Sequence, residues 1–589
     1  MKILLTTLNS KYIHTALSLQ YLYSYCKDDF NNMKIREYTI NHHVDYILGE
    51  IYKGQFDILC FSCYIWNITS TLEVVKNLKK VNPKQIIVLG GPEVSFDPIA
   101  LMKREESIDY IVFGEGEDTF KELLHMLINE KKAPEQIEGI VYRKGEDVFK
   151  NKDRALITNL EKIPSPYLEA LEKQEQEYEN KIIYYESSRG CPHNCRYCLS
   201  STIKGVRFFP LDRVKRDLDL FIGKRVKQVK FVDRTFNTKK HHSLSIMKHL
   251  VEKDNGYTNF HFEITADLLD HEILDFLSTV REGLFQFEIG VQTTYDKTMK
   301  SIDRRVDFGI LSDVVRKISS FKNIHLHLDL IAGLPYEDFN RFKQSFDDVY
   351  RLNPEKLQLG FLKLLKGSGI RKDKDLHGYI FHEEAPYEVL SNQYMRYDDI
   401  LKLKMIEEMV EHFYNSHSLT NAINYLLTNF YKNPSDFYHA LADYWEERGY
   451  HHISHSKKAL YEILLYFYKE KEFENEAVFK EILKLDYFAQ GRGSLLTCFT
   501  NVERENFQHR IHEFLHDEKN IEKYLPQYRG VPVKQILKKV HFENFRYDVV
   551  SIINNPTGDQ IKEKLTTILF QYELERKVFV KAKYNQIPM

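Results

Sequence analysis

Ser188-Arg189-Gly190-Cys191-Pro192-His193-Asn194-Cys195-Arg196-Tyr197-Cys198 places three cysteines within eight positions, spaced C-x3-C-x2-C. The stretch follows a run of β-type sequence, Ile182-Ile183-Tyr184-Tyr185, and its glycine and proline mark a loop leaving a strand. Thiolates are soft ligands that favour iron–sulfur clusters or zinc, and a short turning loop aims several of them at one centre. A closed structural site takes four protein ligands, so three local thiolates leave one metal position open to another molecule. A zinc loop completed by a further ligand such as His193 is the alternative reading of the same residues.

Outward from this loop, a β/α series runs through residues 181–385. Strands are expected at Val226–Val232, Asn259–Thr265, Phe285–Val291, His325–Ile331 and Lys356–Leu362, with helical sequence between them. Six such units predict a partial (β/α)6 barrel of TIM type, open on one side. Catalytic groups of such barrels gather at the C-terminal ends of the strands. Residues 1–140 show a second α/β pattern, short apolar strands alternating with helices, which reads as a doubly wound, Rossmann-like parallel sheet. Ligands of such sheets lie beyond the carboxyl ends of the strands, which here carry Ser62, Gly90, Gly91, Gly114 and Gly116. Neither G-x-G-x-x-G after the first strand nor G-x4-G-K-[ST] is present, which argues against NAD and ATP. Residues 141–180 read as a linker with a turn-prone Ile163-Pro164-Ser165-Pro166. Residues 386–589 read as a mostly helical extension rich in Tyr and Phe, with core packing as its expected role. His451, His452 and His455 in that region read as an exposed helix start.

A chain of 589 residues is long enough for several domains. Lys plus Arg (83) nearly balance Asp plus Glu (85), so the net charge of −2 gives no global electrostatic case for nucleic acid. Seven cysteines in this length do not form a disulfide framework, and the clustered three must be reduced to hold iron. No apolar run is long enough to span a bilayer. A cytoplasmic protein with no membrane partner is expected.

The cysteine loop, with Tyr197 just before its third cysteine, resembles that of the radical S-adenosylmethionine superfamily. The resemblance implies that Cys191, Cys195 and Cys198 hold three irons of a 4Fe-4S cluster and that S-adenosyl-L-methionine binds the fourth. It further implies that Asp233 and Thr235 meet the cofactor's amino group and that Glu263 holds a ribose hydroxyl or the methionine moiety. Gln292 would line the cofactor site and Gly333 its adenine side. Leu89-Gly90-Gly91-Pro92 and Phe113-Gly114-Glu115-Gly116-Glu117 are similar to segments of the cobalamin-binding domain that precedes the barrel in the cobalamin-dependent branch. The D-x-H-x-x-G motif of many other cobalamin domains is missing, and the first strand ends in Asn9-Ser10-Lys11-Tyr12-Ile13-His14. The lower axial ligand of cobalt is therefore left open, with an ordinary helix-start role expected for His14.

These features imply reductive cleavage to a 5′-deoxyadenosyl radical, hydrogen abstraction and methyl transfer to an unactivated carbon. A flavodoxin- or ferredoxin-type electron donor would serve the cluster, and the substrate would be a small molecule or a peptide. Cyclisation, rearrangement and methylthiolation are the rival activities. Methylthiolation would want a second cysteine cluster, for which Cys26, Cys60 and Cys63 are poorly spaced. A non-catalytic iron–sulfur or cobalamin-binding sensor is the rival of another class.

Overall fold

The structure, a computed structural model, describes residues 1–129, 132–173, 178, 180–557, 561, 563–572 and 582–589. The first sheet contains β1 (Ile3–Asn9), β2 (Met33–Thr39), β3 (Ile58–Ser62), β4 (Ile86–Gly90), β5 (Tyr110–Val112), β6 (Ile140–Lys144) and β7 (Asp147–Lys150). Their order is β2-β1-β3-β4-β5-β6-β7. The first five are parallel, and β6 and β7 extend the β5 edge as an antiparallel hairpin. Strands β1 and β3 are buried at every position because helices cover both faces, which is why they read as unbroken apolar runs. Alternate residues serve opposite cores: Leu4, Leu59 and Leu89 pack with Val74 and Leu78, while Leu5, Cys60 and Val88 pack with Leu19 and Leu123. The strand order reverses between β1 and β3, so the crevice for a ligand opens at their carboxyl ends, beside Thr7 and Ser62. The hairpin β6–β7 lies in sequence expected as linker. Gly145, at φ +64°, turns it within a polar run whose charges mask the strand alternation.

The second sheet is the partial barrel. It contains β8 (Ile182–Tyr185), β11 (Gln228–Phe231), β12 (Asn259–Ile264), β13 (Phe285–Gln292), β14 (His325–Ala332) and β15 (Lys356–Phe361), in the order β15-β14-β13-β12-β11-β8. Pairs from β8 to β14 are parallel. No β15–β8 pair closes the sheet among the described residues. Helices between the strands begin where short polar side chains cap them: Asp270 accepts from Ile273 N and Asp307 from Ile310 N. Between β8 and β11 the chain inserts an antiparallel pair, β9 (Ser188–Cys191) with β10 (Gly205–Phe208). The short pair β16 (Ile380–Phe381) and β17 (Val389–Ser391) follows β15.

The chain divides into two compact units, residues 1–345, 352–355 and 359–400, and residues 346–351, 356–358 and 401–589. The second is mostly helical, with Thr420–Asn429, Pro434–Glu447, Lys457–Glu470 and Glu476–Gln490 packing aromatic faces around Trp445 and Tyr468. It also holds an antiparallel sheet of β18 (Val540–Tyr547), β19 (Glu563–Gln571) and β20 (Lys583–Ile587), absent from the sequence reading. No helix among the described residues is long and apolar enough to cross a membrane.

Candidate active site

The loop of three cysteines is anchored before it begins. Asp233, at the end of β11, accepts hydrogen bonds from Ser187 N (2.8 Å), Ser187 Oγ (2.7 Å) and Ser188 Oγ (2.6 Å). It is 1 % exposed, and burial raises its carboxyl to about 6. Gly190 follows at φ +100°, where an added Cβ would stand 2.1 Å from the Gly205 carbonyl oxygen. Only glycine lets β9 and β10 approach this closely. Beyond Cys191, Arg196 N donates to Ile302 O (2.9 Å) and Arg196 O accepts from Ile370 N (2.8 Å), which fastens the loop to segments after β13 and β15.

Cys191, Cys195 and Cys198 line one cavity of about 230 Å³ at the carboxyl ends of the barrel strands. Thr235, Glu263 and Gln292 line it as well, from β11, β12 and β13. Burial raises the Glu263 carboxyl to about 7, and the Glu288 charge adds to this. Gln292 sits at φ +71° with its Oε1 buried and unpartnered. Arg304 enters the same cavity: its Nη1 donates to Cys195 Sγ (3.7 Å) and Tyr197 OH (3.3 Å), and its Nη2 to Gly290 O. Burial raises the Cys195 thiol, and the Arg304 cation opposes that rise.

Two residues expected here stand elsewhere. Asp233 does not line the cavity: its carboxylate accepts from Ser187 and Ser188 and braces the cysteine loop from behind. Gly333 does not line it either. Its carbonyl accepts from Tyr379 OH (3.0 Å) and Asn392 Nδ2 (2.9 Å), and an added Cβ would stand 2.8 Å from Val389 Cγ1. Arg304 went unread in the sequence. Its only mark there is a place twelve residues beyond Gln292, and the turn after helix Asp296–Ser301 is what brings it back.

The donor set suits a cluster. Among the described residues three cysteines line the cavity and no fourth thiol joins them, which leaves one metal position open. His193 lines the same cavity with its Nε2 buried, and burial lowers its pKa. The remaining lining suits a zwitterionic cation: the Glu263 carboxyl for an ammonium or hydroxyl group, and Arg304 for a carboxylate. One further set, His261, Glu288 and His327, brings three ligand atoms within 4.8 Å on adjacent strands. Lys230 Nζ already stands 2.9 Å from Glu288 Oε2, which also meets His261 Nε2 at 2.9 Å. That ammonium supplies the charge a metal would, so the set is read as a polar layer inside the barrel.

In the first sheet, Ser62 Oγ lies 3.0 Å from Ser18 Oγ, and Ser62 O accepts from Thr7 Oγ1 (2.8 Å) at the crevice. Gly90 O accepts from Cys63 N (2.7 Å), and Gly91, at φ +104°, presses against the Cys63 backbone, where a Cβ would meet the carbonyl oxygen at 2.6 Å. Gly114, at φ +78°, has open space beside it, and Gly116 lies near Leu22. His14 Nδ1 is hydrogen-bonded to Tyr184 OH and its ring stacks on that tyrosine, an engagement with the barrel's first strand.

Residues 3–124 match the family described as B12 binding domain, and residues 185–349 match the Radical SAM superfamily. The two matches stand in that order along the chain, on the first sheet and on the partial barrel. Residues 375–570 match a third family, described as "Protein of unknown function (DUF4080)". Among curated proteins, this chain is 25% identical over 338 residues to the 2-(S-pantetheinyl)-carbapenam-3-carboxylate methyltransferase of Streptantibioticus cattleyicolor, covering 55% of this chain and 49% of the relative. It is 25% identical over 339 residues to the cobalamin-dependent radical SAM methyltransferase TokK of Streptomyces tokunonensis, with the same coverage of 55% and 49%. The chain thus spans about half the length of these relatives. Among solved structures, the cobalamin-dependent S-adenosylmethionine radical enzyme OxsB with aqua-cobalamin bound superposes with a TM-score of 0.59 at 16% identity, covering 87% of this chain and 83% of that one. Likeness at that identity establishes a shared fold.

Proposed function

We propose that this chain is a cobalamin-dependent radical S-adenosylmethionine methyltransferase acting on an unactivated carbon. The observation that carries the reading is the single cavity onto which three thiols, Arg304, Glu263 and Gln292 converge, downstream of a sheet whose crevice suits a second cofactor. The similarity to methyltransferases supports the transfer step. When bound, the cluster and S-adenosylmethionine supply reductive C–S cleavage to a 5′-deoxyadenosyl radical, and cobalamin supplies a methyl carrier. Cys191, Cys195 and Cys198 would hold the cluster. Arg304 would pair the carboxylate of S-adenosylmethionine while donating to the Cys195 sulfur, and Glu263 would take its ribose or amino group. Ser62, Gly90, Gly91, Gly114 and Gly116 would edge the cobalamin crevice. Residues 1–140, 181–385 and 386–589 would serve as cobalamin domain, radical core and C-terminal extension, and a flavodoxin- or ferredoxin-type donor in the cytoplasm would reduce the cluster.

Methylthiolation finds no support in the other cysteines of the first domain. Cys26, Cys60 and Cys63 are buried in the first domain's cores, Cys26 is pushed up to about 12 by burial, and burial raises the other two further. Neutral thiols facing apolar cores do not gather an auxiliary cluster.

The test is anaerobic reconstitution with iron, sulfide and hydroxocobalamin, followed by dithionite and S-adenosylmethionine carrying a labelled methyl group. Formation of 5′-deoxyadenosine and of labelled methylcobalamin is expected. A protein that binds cobalamin and the cluster yet forms neither product would be a sensor, and the methyltransferase reading would fall. Cys195→Ala should abolish the cluster while leaving cobalamin bound.

A further inference from the structure

The cysteine loop and the crevice of the first sheet are tied together by buried charge. Arg189, two residues before Cys191, sends its Nη2 to Glu117 (2.6 Å), its Nη1 toward Glu115 (3.5 Å) and its Nε to Glu186 (2.8 Å). Arg207, its partner across β9–β10, reaches the same Glu115 with both terminal nitrogens (2.6 and 3.0 Å). Glu115 and Glu117 belong to the Gly114–Glu117 loop at the carboxyl end of β5, at the rim where the sheet's ligand binds. The Arg189 guanidinium also lies over Tyr21 of helix Leu17–Cys26 (5.2 Å) and near Phe209, which follows β10 (5.8 Å). One side chain on the cluster hairpin thus grips both a loop and a helix of the other domain. The side chains are 13 % exposed for Arg189 and Glu115 and 6 % for Glu117, so water screens these pairs little.

Burial would raise the Glu115 carboxyl, but Arg207 and Arg189 outweigh it and hold it low, while burial leaves Glu186 raised. Two arginines face three carboxylates, and removing either cation leaves buried acidic groups short of a partner.

Resting on the methyltransferase reading, we infer that Arg189 is a positioning residue that fixes the cobalamin crevice over the cluster loop and so sets whether S-adenosylmethionine is spent on methylating cobalt or on abortive radical formation. It touches neither the cavity nor a cysteine sulfur, so it acts through the Gly114–Glu117 loop. Methyl transfer from a sulfonium held by one domain to a metal held by the other demands alignment to within about an ångström, and a misplacement of that size costs on the order of 100-fold. Radical formation needs only the cluster side and is insensitive to that alignment.

The experiment compares Arg189→Lys, Arg189→Gln and Glu117→Gln with the parent protein in a Cys498→Ser background. Nitroxides are attached after cluster reconstitution at Tyr46→Cys and Ile310→Cys, both more than half exposed, on helices Val44–Gly54 and Phe308–Phe321. Pulsed dipolar spectroscopy reads the distance between the domains, and product analysis reads the ratio of methylcobalamin to 5′-deoxyadenosine. A broadened or shifted distance with at least a tenfold fall in that ratio, and an unchanged cluster spectrum, is the expected result. An unchanged distance, an unchanged ratio, or an equal loss of both products in all three variants would overturn the inference. If the parent itself makes no methylcobalamin, the methyltransferase reading fails and the distance alone decides whether Arg189 fixes the domains. Arg189→Lys and Glu117→Gln keep the test available should Arg189→Gln not fold.

Discussion

Arg304 does two things with one planar group, and lysine cannot copy them. Its fork reaches the Cys195 sulfur, Tyr197 OH and Gly290 O at once, which a single ammonium on a flexible stem does not. Arg304→Met should weaken S-adenosylmethionine binding by about 10–100-fold, the worth of one charge-assisted pair, and Arg304→Lys by less. Equilibrium dialysis on the reconstituted protein measures this, and equal affinity in the methionine variant would remove Arg304 from the site. Glu337 carries a different lesson. It is fully buried, accepts from Thr293 Oγ1 and Ser345 Oγ (both 2.7 Å), and burial raises it to about 7. Below about pH 4.5 both folded and unfolded chains are protonated here. As pH rises to 7 the unfolded chain ionises first, so this group's contribution to stability falls through that window and stays low above it. Glu337→Gln should therefore stabilise the cluster-free protein by about 2–3 kcal/mol at pH 8 and by nothing near pH 4.5. Thermal unfolding at the two pH values reads the difference, and a gain that does not change with pH would refute the assignment.

At the scale of elements, the β9–β10 hairpin carries the site. Two short strands cannot hold a metal loop by themselves, and here the hairpin is fastened at its start by Asp233. Gly190 is its tightest point. Gly190→Ala would force a side chain into positive φ and against the Gly205 carbonyl, so the pair must open. The expected cost is about 2 kcal/mol or more, with iron and sulfide per chain falling well below the parent's. Full iron content in that variant would mean that the hairpin does not hold the loop.

At the scale of the first compact unit, a second buried tie joins the sheet to the barrel's end. Glu93, beside Gly91 and 4 % exposed, meets Lys366 Nζ at 2.9 Å and accepts from Tyr387 OH. Lys366→Met would leave that carboxylate buried with one neutral donor, at about 3 kcal/mol, and adding Glu93→Gln should recover much of it. Denaturant unfolding of the single and double variants tests this; no recovery in the double variant would place the effect in packing.

The apolar strand runs of both sheets were legible in the sequence because parallel strands covered by helices must be apolar throughout, whatever they later bind. Cys191, Cys195 and Cys198 were legible because their spacing is local, and Gln292, Glu263 and Thr235 because polar residues at barrel strand ends face one mouth. The β6–β7 hairpin and the β18–β20 sheet were not, since antiparallel edges half open to water mix polar and apolar positions as loops do. Asp233 and Gly333 stood at the right strand ends yet turned out to be braces, because the end of a strand does not say whether a side chain or carbonyl is claimed by the protein or by a ligand. Arg304, and the arginines that tie two domains at a glutamate loop, take their meaning from partners about 70 to 110 residues distant in sequence. Ligand spacing and buried strands are properties of short stretches. Which charge answers which, in a place that water does not reach, was decided only when the chain folded.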